Sequence, residues 1–256
     1  MIEALYIGAN GMGAQQAQID AVASNLTNIN TTGFKKSKVN FQEVIAHGLD
    51  QPQITSKIPV GPQSTVSVAQ VEMDFTPGTL KTTNDSFDLS IQGAGFIPFL
   101  LPDGSIAYGR GGSLKLDSNR VLTNQAGYPL QPMIQLPEDT DTLRILADGR
   151  VEAIFKDSRP SVELGRIELV NFNQPSALRA QGGGVYQASE KSGEAISGQP
   201  GTIGLGTLSQ GALENANVDM ISEMVSLMLA QRAYEMGSKL VQASDEIMGI
   251  TNNLRR

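Results

Sequence analysis

Apolar residues recur every seven positions at the two ends of this chain. Near the start they are Leu5, Met12, Ile19 and Leu26, with Val22 and Ile29 three residues further round; near the end they are Leu213, Met220, Leu227, Tyr234, Val241 and Met248. A seven-residue apolar period holds a seam on one side of a helix and drives it to pack along another helix. The pattern predicts one helix over residues 3–29 and a second over 218–254, the latter about 55 Å long at ~1.5 Å per residue. Apolar positions on the second helix form two adjacent stripes. One holds Leu227, Tyr234, Val241 and Met248; the other holds Met236, Leu240, Ile247, Ile250 and Leu254. A single helical partner covers only one stripe, so the width of this surface points to association between copies.

The first helix is weak by propensity. Gly8, Gly11 and Gly13 each cost about 1 kcal/mol relative to alanine. Asn28, Asn30, Thr31 and Thr32 disfavour continuation, and Gly33 suits left-handed C-cap geometry. Phe34 then reads as an apolar anchor, with Lys35 and Lys36 in solvent. At the other helix, Asn217 reads as the N-cap, with Asp219 and Glu223 complementing the positive N-terminus.

Between the helices the pattern changes to short apolar runs broken by turns. Asp103-Gly104 between Phe99-Leu100-Leu101 and Ile106-Ala107-Tyr108 is a hairpin signal, as is Asp148-Gly149 between Leu143–Leu146 and Val151–Phe155. Asp117-Ser118-Asn119-Arg120 reads as a third turn, and Ile167–Val170 as a further strand. Pro52, Pro59 and Pro62 stiffen the stretch from Asp50 to Gln63. Ser192 to Gly206, rich in Gly, Ser and Pro, reads as a connector. The resulting expectation is an α+β chain. Residues 1–35 and 212–256 form a helical coiled-coil domain, 36–65 and 191–211 are extended connections, and 66–190 form a central β-rich domain.

Composition narrows the chemistry. With no cysteine in 256 residues, a disulfide framework and a thiolate metal site are excluded. His47, the only histidine, sits beside Gly48 in a turn-like stretch and reads as incidental. A net charge of −7 argues against a nucleic-acid surface. No apolar run approaches the roughly 20 residues of a membrane-spanning helix, and Met1-Ile2-Glu3-Ala4 has neither the basic nor the apolar region of a cleaved secretory signal. Gly93-Ala94-Gly95 lacks the third glycine of a dinucleotide fingerprint. Asp85, Asp88 and Asp103 have no spacing that pairs them for glycoside hydrolysis. No catalytic, cofactor or metal site is expected.

The string Ser24-Asn25-Leu26-Thr27-Asn28-Ile29-Asn30-Thr31-Thr32-Gly33-Phe34-Lys35 resembles the N-terminal signature of bacterial flagellar rod and hook proteins. Thr27 stands where alanine is more usual. Asn215-Ala216-Asn217-Val218-Asp219 and Gln231-Arg232-Ala233-Tyr234-Glu235 are similar to the matching C-terminal signature. Ile91–Phe96, Leu101–Gly104 and Ala107–Ser113 resemble the distal rod branch, with glycine at 109 and 111 where threonine and an aspartate or asparagine are more usual. Asn25, Asn28, Gly33 and Phe34 carry the N-terminal motif; Gln231, Arg232 and Tyr234 carry part of the C-terminal one.

The resemblance implies a self-assembling helical tube in the basal body that passes torque from motor to hook. Its implied partners are other copies, other rod and hook subunits, the surrounding basal-body rings and the flagellar type III export apparatus. That route explains export without a cleaved signal. The loop carrying Pro52, Pro59 and Pro62 is then the segment that contacts neighbouring subunits. The proximal rod type is the alternative within the family. From another class, the alternative is a secreted β-rich carbohydrate-active enzyme or adhesin with a helical stalk.

Overall fold

The structure is a computed structural model that describes residues 2–46, 63–156 and 159–254. His47, Pro52 and Pro59 lie outside the described residues, as does Pro62, so the expectations placed on them do too. The architecture is α+β, with two α-helices and many short antiparallel strands among the described residues. The chain divides into two compact units.

The helical unit takes residues 1–27, 37–72 and 219–256. Helix α1 spans Ile2–Thr27 and helix α2 spans Met220–Leu254. Strands Ser37–Ala46 and Gln63–Met73 pair as a two-stranded ribbon. The helices run antiparallel. A side chain added at Gly8 would meet Val241 and Leu240, and one added at Gly237 would meet Met12. At the far end, the Asn25 carboxamide donates to Glu223 Oε2 at 3.1 Å. In each pairing the two residue numbers sum to nearly the same value, so one register holds along the whole contact. Gly8 and Gly237 therefore have a packing reason, since they let the helices approach closely.

The helix ends differ from the sequence expectation. α1 stops at Thr27, and Asn28 opens a turn in which Thr31 N–H donates to the Asn28 carbonyl. Ile29 therefore lies beyond the helix. Gly33 has the expected left-handed backbone, with φ +70, but it serves a later contact: its N–H donates to the Glu214 carbonyl at 2.7 Å. α2 starts two residues after Val218 and is capped by Asp219, whose carboxylate accepts the Ser222 N–H at 3.0 Å. Asn217 is not the cap because its carboxamide is engaged in the β unit. Leu213 is not helical; it lies in strand Ala212–Glu214.

The β unit takes residues 28–36 and 73–218. One sheet has four strands in the order Arg179–Gly182, Val185–Gln187, Ile106–Gly109, Ile97–Leu100. A second has the order Thr207–Gln210, Asp88–Gln92, Gly111–Ser113, and a third the order Thr140–Ile145, Arg150–Phe155, Val162–Arg166. All three turn signals form hairpins. Leu101 N–H donates to Ser105 O around Asp103-Gly104, Leu146 N–H to Arg150 O around Asp148-Gly149, and Asp117 N–H to Val121 O around the third. The last strand expected, Ile167–Val170, appears as Leu169–Asn171.

Residues 192–206 are less of a connector than their composition implied. They supply strand Ile196–Gly198 and a turn closed by Gly201 N–H on the Gly206 carbonyl. A Cβ at Gly206 would collide with the Gln92 carbonyl oxygen, so glycine is required there. The main core packs Leu89, Ile91, Ile97, Phe99, Leu122, Leu130, Val151, Ile167 and Leu169. A second cluster stacks Phe75, Phe96, Tyr108, Phe172 and Tyr186 edge to face.

Candidate functional site: the helix pair and a buried charge cluster

Within the helical unit, α2 has two faces of opposite character. Leu227, Ala230, Gly237, Val241 and Met248 are buried or half-buried, with Tyr234 on the same stripe 39% exposed. These positions recur at alternating three- and four-residue steps, the spacing of one helix side. From α1, Ala14 and Val22 are buried, and Met12, Ile19 and Leu26 half-buried. Elsewhere on α2, Ile221, Met224, Val225, Met228, Leu229, Met236, Leu240 and Ile250 are all at least half exposed. Ile247 is 53% exposed. Leu5 and Leu254 lie in α1 and α2.

Gln231 and Arg232 are exposed; Arg232 makes an exposed contact with Glu235 at 3.5 Å, worth little in water. The family-motif residue Asn25 is 1% exposed. Its carboxamide accepts the Ser37 N–H at 2.8 Å and donates to the Ser37 carbonyl at 3.0 Å. With Glu223 it joins α1, the strand beginning at Ser37 and α2 at one side chain. Replacing Asn25 with alanine removes one hydrogen bond from each of these backbone groups and the one to Glu223. The expected loss is about 1–3 kcal/mol of helical-unit stability, read as earlier loss of helical dichroism on heating.

In the β unit the motif residues build something the sequence did not reveal. Asn28 takes part in the turn, its Oδ1 accepting the Thr31 hydroxyl at 3.4 Å. Phe34 and Ile29 are half-buried. Lys35, expected in solvent, is 0% exposed. Its Nζ donates to Glu214 Oε1 at 2.6 Å and to the Thr76 carbonyl at 2.7 Å. Glu214 Oε2 accepts Arg110 Nε at 3.2 Å, and Oε1 also accepts the Gly78 N–H at 2.8 Å. Arg110 spends its other two nitrogens on the Gly95 and Gly93 carbonyls, at 2.7 and 2.9 Å. The Gly93-Ala94-Gly95 stretch is thus a carbonyl cradle for an arginine.

Burial, the largest influence, holds the Lys35 ammonium below the ordinary lysine value, while Glu214 pulls the other way. Burial likewise pushes the Tyr186 phenol well up, opposed by a hydrogen bond from the Lys35 backbone. Asn217 completes the cluster. Its Oδ1 accepts the Lys36 N–H at 2.8 Å, and its Nδ2 donates to the Asp74 carbonyl at 2.8 Å.

Sequence reasoning missed Lys35, Arg110 and Glu214 as a set. The available signal was a charged residue inside an apolar strand run, Ala212-Leu213-Glu214, together with an arginine flanked by glycines at 109 and 111. Of the acids weighed for hydrolysis, Asp103 and Asp85 accept hydrogen bonds in their own turns, from Ser105 and Phe87, and Asp88 is buried in its strand. Among the described residues no group of acidic or histidine side chains could hold a metal ion. No helix among them is long and apolar enough to cross a membrane.

Both ends and the middle match known families. Residues 5–35 match the family described as flagella basal body rod protein, 90–153 the flagellar hook protein FlgE/F/G D1 domain, and 209–254 the flagellar basal body rod FlgEFG protein C-terminal. The chain is 41% identical to the flagellar basal-body rod protein FlgG of Borreliella burgdorferi, covering all of both chains. It is 34% identical to that of Caulobacter vibrioides over 99% of this chain and all of the relative. A flagellar hook protein, FlgE of Salmonella typhimurium, is 30% identical over 87% of this chain and 51% of its own. With such identity sustained from end to end, the chain belongs to the FlgG family of flagellar basal-body rod proteins.

Proposed function

We propose that α1 and α2 together form the polymerising element of a distal rod subunit, pairing as an antiparallel coiled coil within the chain and presenting the outer face of α2 to neighbouring copies. The chain is a structural subunit of the flagellar basal body and not an enzyme, as its relatives are. Rod and hook subunits are its partners by family. The observation that carries the reading is the apolar face left exposed on α2: Leu229 and Met236 are each 65% exposed and Leu240 51%. A monomer rarely exposes a contiguous apolar strip of this kind without a partner for it. Subunits joined head to tail through such a face make a helical tube rather than a closed pair.

The finer parts of the reading follow from that tube. It spans the periplasm and carries torque from motor to hook. Basal-body rings surround it. The glycine-weakened α1 is easily kept unfolded for passage through the type III export apparatus, after which it pairs with α2. Leu5, Met12, Ile19, Val22 and Leu26 with Leu227, Val241 and Met248 supply the pairing seam. Leu240, Ile247 and Leu254 belong to the assembly surface, and the segment with Pro52, Pro59 and Pro62 is a subunit contact.

The test separates the two faces of α2. Leu229→Asp and Met236→Asp together should leave monomer melting unchanged and reduce sedimentable polymer to background. Val22→Asp, inside the pair, should instead lower monomer helicity. Wild-type amounts of polymer from the Leu229/Met236 variant would sink the reading.

A further inference from the structure

The charge cluster is asymmetric in a way that suggests a movable part. With Lys35 removed, Glu214 keeps one body donor on each oxygen: Gly78 N–H on Oε1 and Arg110 Nε on Oε2. Arg110 is itself fixed by the Gly93 and Gly95 carbonyls and lies 5.9 Å over the Phe96 ring. Those groups form a neutral, satisfied ion pair with no contribution from residues 28–36. Beside the pair, Glu214 Oε1 and the Thr76 carbonyl stand ready to accept an ammonium. Among the described residues, the positive charge that reaches both comes from a short strap, residues 28–36, that enters and leaves the β unit separately from residues 73–218.

Other contacts hold the strap mainly through its backbone. Gly33 N–H donates to Glu214 O, Lys36 N–H to Asn217 Oδ1, and Lys36 O accepts Asp74 N–H at 2.9 Å. A half-buried contact joins Lys36 to Asp74 at 3.5 Å.

We infer that residues 73–218 form a preassembled ammonium receptor and that Lys35 is the key by which the strap docks into it as a separable latch. The latch closes when Lys35 seats between Glu214 and the Thr76 carbonyl, and it opens without unfolding the sheets. Its closure fixes the course of the chain on both sides of Lys36, because Asn217 and Asp74 then grip that residue's N–H and C=O. The inference concerns docking within the β unit and stands whether or not the helices polymerise.

Trypsin reads the latch directly. Cleavage after Lys36 needs a backbone freed from Asn217 and Asp74, so the full chain should resist it. In full-length Lys35→Ala, cleavage after Lys36 should rise about tenfold or more, as expected for a locally opened segment. The 73–218 portion should persist in the digest, and the near-ultraviolet dichroism of Tyr108 and Tyr128 should remain. Propylammonium chloride replaces the atoms removed from lysine beyond Cβ and should restore protection; n-propanol at the same concentration should not.

Equal rescue by the alcohol would mean the site needs filling rather than charge, and would overturn the inference. Absence of rescue would show that no receptor exists without the strap, with the same consequence. If Lys35→Ala does not fold, Lys35→Met keeps the apolar stem and gives the same comparison of strap cleavage against body survival. Failure of both variants to fold, or a strap in Lys35→Met as protected as wild type, would also refute a separable latch.

Discussion

Glu214→Ala should destabilise the β unit by about 3–5 kcal/mol, because it leaves buried cations without their shared anion. For a domain of roughly 150 residues each kcal/mol moves Tm by about 2–4 °C, so the expected drop is on the order of 10 °C. The magnitude follows from burial. Lys35, Arg110 and Glu214 are 0%, 2% and 2% exposed, so water cannot take over the role of the carboxylate. A surface pair such as Arg150 with Asp148, 40% and 49% exposed, should change stability little when broken, since water and salt screen it.

The Glu214→Ala variant should also change its response to pH. Burial already places the folded Lys35 below its ordinary value of 10.5, and Glu214 is the group that most opposes this. Without Glu214 the folded value falls further. Between the folded and unfolded values the unfolded chain binds more protons, so stability rises with pH through that window. Denaturant melts at rising alkaline pH should show the gap between variant and wild type narrowing. A gap that stays constant or widens would mean Lys35 is not held as a buried ammonium in the variant.

Phe96→Ala should cost the β unit about 3–5 kcal/mol, comparable to removing Glu214 but by a different mechanism. Phe96 is 2% exposed and touches Phe75, Phe172 and Tyr186 edge to face, with centroids 5.0, 5.9 and 6.4 Å away. Its backbone bridges Val170 in both directions at 2.8 Å, so the strand cannot easily move inward to fill the space. The loss should be insensitive to salt and pH, because the ring carries no charge. A urea titration of both variants separates the two causes: the Phe96→Ala deficit stays constant from neutral to alkaline pH, and the Glu214→Ala deficit does not. A Phe96→Leu variant should recover much of the stability, since it restores most of the apolar volume.

The two kinds of element were legible in the sequence to different degrees. The helices, the three hairpins and the α+β class are set by local periodicity and turn chemistry, which the chain carries on its surface as a pattern. Asp103-Gly104 and Asp148-Gly149 form turns because few other conformations suit them between alternating apolar runs. The heptad positions Met12, Val22, Leu227 and Val241 fall on the helix pair because seven residues make nearly two helical turns. The boundaries were less legible. Leu213 fits the seven-residue series by number yet lies in a strand, because pairing with Lys81 in strand Leu80–Thr82 outweighs a periodicity that begins in earnest only at Met220. Asn217 has the right chemistry for a helix cap, but Lys36 and Asp74 engage its carboxamide first.

By itself, then, the sequence determined the two terminal helices, the β-rich middle, the lack of thiol chemistry and the membership of an assembling family. Each rests on residues close together in the chain or on composition. Only the tertiary structure decided that Lys35 is buried, that Glu214 receives both it and Arg110, and which side of α2 is covered. The charge contacts join residues separated by 104 and 179 positions (Arg110 to Glu214, and Lys35 to Glu214). No local pattern encodes them: a lysine beside a glycine and a phenylalanine looks solvated until the chain brings a buried carboxylate within 2.6 Å of it.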